Sequence, residues 1–341
     1  MDVDLNKPLA ANSVLVSGAA FVIIVAGMKA STQLIVPFLL AIFIAVLCTP
    51  LMVWLRTKKV PSTLSVLLVV TMLTLLVATF STVIGSSLSA FYQDLPSYEQ
   101  KLQQQVQAAV VWLQGMGLEV DNTLLTDYID PGAAMKMVAS VFSGLGGVLT
   151  NTFLIMFSVI FILLEASGLP DKVRRALGKQ TLALDHFQNF SDSVQRYLLI
   201  KTLVSIGTGV CAGIALTLLG VDYAILWALI AFMLNYIPNI GSIIAAVPPM
   251  LIAMIQLGPM TSLVIAFIYL IINTIFGSII EPRYLGRSLD LSTFVVFVSL
   301  VFWGWVFGPV GMLLSIPLTM MVKIGLESSQ NNRWLAVLLG H

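Results

Sequence analysis

From Thr202 through Ile280 the chain carries one charged residue, Asp222, yet its backbone is interrupted midway by NYIPNIGSIIAAVPP, Asn235 to Pro249. No other feature constrains the fold as tightly. A run this apolar belongs in a bilayer, where a backbone N–H or C=O facing hydrocarbon has no partner. Broken backbone survives there only when it is buried in protein or lines a watery cavity. A second interruption, GWVFGPVGMLLSIP from Gly304 to Pro317, repeats the pattern. Two Gly/Pro-broken segments in corresponding positions of two halves point to a transporter's binding site.

The rest of the chain fits this setting. Of 341 residues, 58% are hydrophobic and 10% charged, against about 25% charged in soluble domains. This is a polytopic membrane protein. A net charge of +1 offers no basic patch for a nucleic-acid partner. Cys48 and Cys211 lie inside apolar runs and read as small core hydrophobes. The first apolar run lacks a strongly basic leader, so it reads as a retained helix.

Spans are expected at about Ser13–Met28, Leu34–Leu55, Ser62–Phe91, Val138–Leu164, Thr202–Leu219 and Thr261–Ile280. Arg56, Lys58 and Lys59 place the loop after the second span, and with it the N-terminus, in the cytoplasm. The segment Tyr92–Met135 is acidic, with Lys101 its only basic residue before Lys136, and is expected outside. Within it Tyr98, Leu102, Val106, Ala109/Val110 and Leu113 recur at helical spacing. That predicts an amphipathic helix lying on the protein or the interface. Asp130–Pro131 reads as a helix start leading into the fourth span. Glu165 to Lys201 returns to the cytoplasm, with Phe187, Phe190, Val194 and Leu198 as a stripe entering the fifth span.

Two segments then have to leave a face and return to it. Tyr223–Leu257 starts and ends outside, with arms of about a dozen residues where a spanning helix needs about 20. Leu291–Lys323 starts and ends inside and breaks at Gly304–Gly311. The expected fold is therefore all-α: about six full spans plus two oppositely oriented re-entrant helical hairpins forming an inverted repeat. By region, the chain divides into membrane helices over 1–91, an extracytoplasmic insert over 92–137 and a fourth span with linker over 138–201. A transport core over 202–327 and a cytoplasmic tail over 328–341 complete it.

No HExxH, P-loop or GxSxG pattern occurs, and His186 and His341 stand far from the spans. No enzymatic activity, cofactor or metal is expected, which leaves a secondary transporter or channel. Polar residues at membrane depth are the candidates. Asn235, Asn239 and Ser242 cluster at the first tip, and Asn273 lies in the last span. Each could hydrogen-bond between helices or contact cargo. Glu281 and Arg283 flank Pro282 as an interfacial anchor, an ion pair or a coupling site. Trp303 and Trp305 are belt anchors or, at the second hairpin tip, pack against the opposite hairpin.

NYIPNIGSIIAAVPP and EPRYLGRSLDLSTFVVFVSLVFWGWVFGPVGMLLSIPLT resemble the autoinducer-2 exporter family, the PerM-like permeases, and so do IVPFLLAIFIAVL and YIDP. The resemblance covers nearly the whole chain. It implies a bacterial inner-membrane protein releasing the furanone autoinducer-2, while the basic loops put both termini in the cytoplasm. It also implies a homo-pentamer in the lipid bilayer with an elevator-like moving part. The family's tip maps onto Asn235, Tyr236, Pro238, Asn239 and Gly241. Its second set maps onto Glu281, Pro282, Arg283, Gly308, Pro309 and Gly311. Some relatives look like sodium/proton antiporters. Such exchange needs a midplane carboxylate, and from Thr202 to Glu281 the hairpin half offers only Asp222 and Glu281, both near span ends. Asparagines and tip carbonyls suit a neutral polyol better. The two tips are expected to approach each other near the midplane, with Asn273 in reach.

Overall fold

The computed structural model describes residues 8–116, 151–166, 181–238, 240–285, 291–327 and 339, and among these there is no strand. In chain order the helices are α1 Pro8–Ala30, α2 Thr32–Thr57, α3 Ser62–Gly115, α4 Thr152–Ala166, α5 Thr181–Leu218, α6 Ala224–Leu234 and α7 Gly241–Leu257. There follow α8 Pro259–Asn273, a π-helical segment Thr274–Ile280, α9 Glu281–Leu285, α10 Thr293–Leu313 and α11 Ser315–Glu327. Among the described residues, five helical stretches are long and apolar enough to cross a membrane: Thr32–Thr57, Ser62–Gln105, Asp192–Leu218, Pro259–Tyr284 and Thr293–Leu313. The last contains a non-helical Gly308, so it is not one straight rod. Residues 138–150 of the expected fourth span, and the helix start at Asp130–Pro131, lie outside the described residues.

The chain forms two compact units, one from 1–44 and 291–341 and the other from 45–290. The larger unit is built around α5, α6, α7 and α8, with Trp227, Leu226, Ile252, Ala245 and Ile265 almost fully buried in its core. Alpha-5 and α6 pack closely because Gly209 faces α6, where a Cβ would stand 2.8 Å from the Ala228 carbonyl oxygen. Cys48 is buried and Cys211 half-buried, both as free thiols.

The third helix departs from expectation. It does not end near Phe91 but continues unbroken to Gly115, through Pro96. The anticipated amphipathic helix is its distal half. At 1.5 Å per residue its 54 residues extend about 80 Å, so much of it projects beyond the roughly 30 Å of hydrocarbon. Tyr98, Leu102 and Val110 are buried, so this half lies on the protein.

Polar bonds clamp that extension to the α5–α6 turn and the last turn of α7. Tyr98 donates to Asp222 Oδ2 at 2.6 Å, and Tyr223 donates to Asp94 Oδ2 at 2.6 Å. Burial first, and the bond to Asp94 next, hold the Tyr223 phenol above its usual range. Gln256 accepts from the Asp222 N–H and donates to the Gly220 carbonyl, closing the α5–α6 turn. Gln105 Nε2 donates to the Met254 and Ile255 carbonyls. Residue 259 is proline and has no N–H, so Ile255 lacks its helical donor and Gln105 supplies one.

In the smaller unit, Val25 packs with Trp303, Val306, Phe307, Leu314 and Leu318. Thr32 Oγ1 donates to the Val306 carbonyl at 3.2 Å. Lys29 Nζ lies 3.7 Å above the exposed Trp305 ring.

Candidate functional site

The first broken segment is a helical hairpin whose local chemistry explains its shape. Alpha-6 ends at Leu234, and the Asn235 N–H still bonds the Ala231 carbonyl at 3.1 Å. Pro238 cannot donate, so the chain closes through short turns, Ile237 N–H to Leu234 and Ile240 N–H to Pro238. It restarts at Gly241 pressed against the last turn of α6. A Cβ at Gly241 would overlap the Leu234 carbonyl. The arms have 11 and 17 residues, short of the ~20 a span requires.

Asn235 and Tyr236 at the tip face α5. Asn235 Nδ2 donates to Ser205 Oγ at 3.0 Å, with the two residues 6% and 0% exposed. Tyr236 donates its hydroxyl to Thr202 Oγ1 at 2.7 Å, and Thr202 donates to the Leu198 carbonyl. Thr202 and Ser205 are three residues apart and share one helix face. Neither was singled out from sequence, although Thr202, Ser205 and Thr208 recur at helical spacing in an apolar helix. Thr208 continues the stripe, 3% exposed, with its hydroxyl unpaired by the protein.

Asn273 closes α8, and its Oδ1 accepts from Ser242 Oγ, one residue into α7, at 2.9 Å. Gly277 makes room for that carboxamide, since a Cβ there would sit 3.0 Å from Oδ1. So Asn235, Tyr236 and Asn273, three of the sequence candidates, are each engaged by hydroxyls of neighbouring elements. Each carboxamide has more hydrogen-bond capacity than one such bond uses. Pro238 is half-buried beside them. Asn239 lies outside the described residues.

Glu281 finds a partner that the sequence did not suggest. Both of its oxygens lie 2.8 Å from Lys201 Nζ, with side-chain exposures of 16% and 4%. Arg283, considered beside it as an ion-pair partner, is exposed. Residues two apart on a helix point to different sides, so Arg283 cannot share Glu281's face.

The second hairpin solves the same problem in its own unit. Gly308 has φ 67° and ψ −148°, a conformation essentially reserved for glycine. Pro309 follows, exposed, and Gly311 is buried against the Trp303 carbonyl, where a Cβ would overlap. Trp303 Nε1 donates to Thr319 Oγ1 at 3.0 Å across the two arms. Trp303 is thus a packing residue of its own hairpin, whereas Trp305 is 58% exposed. The break is at Gly308, inside the expected Gly304–Gly311 window. In each hairpin a glycine just after a proline seats on a carbonyl near the end of the first arm.

Among the described residues no three His, Cys, Asp or Glu side chains gather as metal ligands. The arrangement offers uncharged donors and acceptors at a broken helix, with one buried ion pair nearby.

Known proteins match this sequence over nearly its whole length. The model of the AI-2E family of transporters matches residues 19–331. The AI-2 transport protein TqsA of Escherichia coli K12 is 42% identical over 318 residues, covering 93% of this chain and 92% of that protein. YhhT of the same bacterium, whose name assigns it only to transport, is 34% identical over 96% of this chain and 94% of its own. A Haemophilus influenzae protein, also named only for transport, is 40% identical over 94% of each.

Proposed function

The chain belongs to the AI-2E family of transporters, and from that premise we propose that it exports autoinducer-2, a small polyhydroxylated furanone. Export runs across the bacterial inner membrane, and the alternating step is elevator-like. The observation that carries this reading is the first hairpin tip. There Asn235, Tyr236, Ser205 and Thr202 bring uncharged hydrogen-bonding groups to a broken helix inside an apolar unit. Such groups can hold sugar-like hydroxyls without placing a full charge in low dielectric. The name of TqsA supports the cargo. Gly308, Pro309 and Gly311 form the corresponding break in the second hairpin, which enters from the cytoplasmic face. Cation/proton exchange is the less favoured reading, because Asp222 is bonded to Tyr98 and Glu281 to Lys201.

Inverted membrane vesicles carrying the protein are expected to accumulate autoinducer-2, and Asn235→Ala is expected to lower that accumulation. The expected loss is about 1–3 kcal/mol in transition-state terms, or roughly 5- to 150-fold, from one polar contact and the Ser205 hydroxyl left behind. Lys101→Ala, exposed on α3, changes little. Normal transport in Asn235→Ala, with loss in Lys101→Ala, places the cargo path elsewhere.

Orientation follows from the basic loops. In intact cells, an impermeant thiol reagent labels cysteine at Asp121→Cys and spares Lys58→Cys. The reverse pattern overturns the assignment.

A further inference from the structure

We propose that Lys201 is a positioning residue for the cargo site, acting through Glu281 to hold the π register of Thr274–Ile280 and so the orientation of Asn273. This rests on the reading of the first hairpin as the cargo-binding element. Neither Lys201 nor the π segment carries an assigned role.

The segment is pinned at both ends. At its start, Asn273 Oδ1 accepts from Ser242 of α7. At its end, Glu281 binds Lys201 of α5 through both oxygens. A π turn holds one residue more than an α turn. Taking that residue out of the register would rotate everything beyond it by about 100° and shift it by about 1.5 Å. If Asn273 stayed on Ser242, Glu281 would leave Lys201. If Glu281 stayed, Asn273 would leave Ser242. Both contacts hold together in the π register.

The ion pair is the stronger of the two anchors. Lys201 is 3% exposed, and a buried ammonium cannot give up its counter-charge cheaply. A single hydroxyl–carboxamide bond is worth far less. The middle of the segment is also set against α5: the Phe276 ring fills the place a side chain at Gly207 would need. Gly277 meanwhile leaves the space into which the Asn273 carboxamide folds. Asn273 thus follows a register that α5 dictates. The other titratable groups here are Tyr197 on α5, fully buried within electrostatic range of Glu281, Tyr236 at the tip and exposed Arg283.

The test reads geometry separately from transport. With Cys48 and Cys211 replaced by alanine, cysteines at Ser242→Cys and Asn273→Cys are linked in membranes by a short bifunctional thiol reagent. Lys201→Met/Glu281→Met removes both charges and leaves none buried alone; if it does not elute as folded protein, Lys201→Gln/Glu281→Gln replaces it. Cross-linking slows about fivefold in the neutral pair, the scale of one lost hydrogen bond, and Lys201→Arg restores it. With Ser242 and Asn273 intact, the neutral pair raises the half-saturating autoinducer-2 concentration about fivefold, on the same scale, while maximal rate holds. Unchanged cross-linking in the neutral pair overturns the proposal, as does a fall in maximal rate with half-saturation unmoved. Slowed cross-linking in a protein that moves no autoinducer-2 supports the register role and overturns the cargo reading instead.

Discussion

Gly241→Leu and Gly311→Leu are each expected to remove both folded protein and transport, whereas Gly85→Leu is expected to leave both intact. At Gly241 the first side-chain atom would overlap the Leu234 carbonyl, and at Gly311 the Trp303 carbonyl. Backbone, not a flexible side chain, stands in the way, so neither site can yield without opening its hairpin. Overpacking typically costs about 1–3 kcal/mol where neighbours can move, and here they cannot. Gly85 has nothing within 4 Å of an added Cβ. Fluorescence-detected size exclusion after a heating series gives the melting point, and vesicle uptake gives the activity. A Gly241→Leu protein that melts and transports like the parent would mean that the arms do not touch.

Glu281→Ala is the other severe change. It leaves the Lys201 ammonium 3% exposed with the carboxylate that pairs with it gone, which typically costs about 3–5 kcal/mol. Removing both charges in Lys201→Met/Glu281→Met regains most of that stability, because a well-packed apolar pair can replace a buried ion pair. Arg283→Ala, at an exposed position, melts like the parent. The same heating series ranks the three variants. If Glu281→Ala and Arg283→Ala lose equal stability, the pair with Lys201 does not hold α9 to α5.

Much of the local architecture was legible because prolines and glycines act where they stand. Pro238 cannot donate and Gly308 alone tolerates its backbone angles, so both breaks could be read from the residues that cause them. The short arms followed from counting between charged loops. The continuity of α3 was not legible. The chain turns from apolar to acidic near Tyr92, which reads as a boundary, but helix formation does not stop at a change of solvent. Tyr98 and Leu102 keep the apolar stripe going, and Gln105 reaches the carbonyl that Pro259 leaves without a donor.

The polar partners were hidden for a different reason. Asn235 and Ser205 are 30 residues apart, Glu281 and Lys201 80, and Tyr98 and Asp222 124. Spacing along a chain reports which side of one helix a residue occupies, not which residue of another helix meets it. The π segment belongs to the same class: TIFGSII looks like any apolar helix, and its register is set by what lies at its two ends. Backbone rules therefore determined where this chain must bend. Which buried hydroxyl or charge met each polar side chain was decided only by packing, because that depends on how separate helices come together in three dimensions.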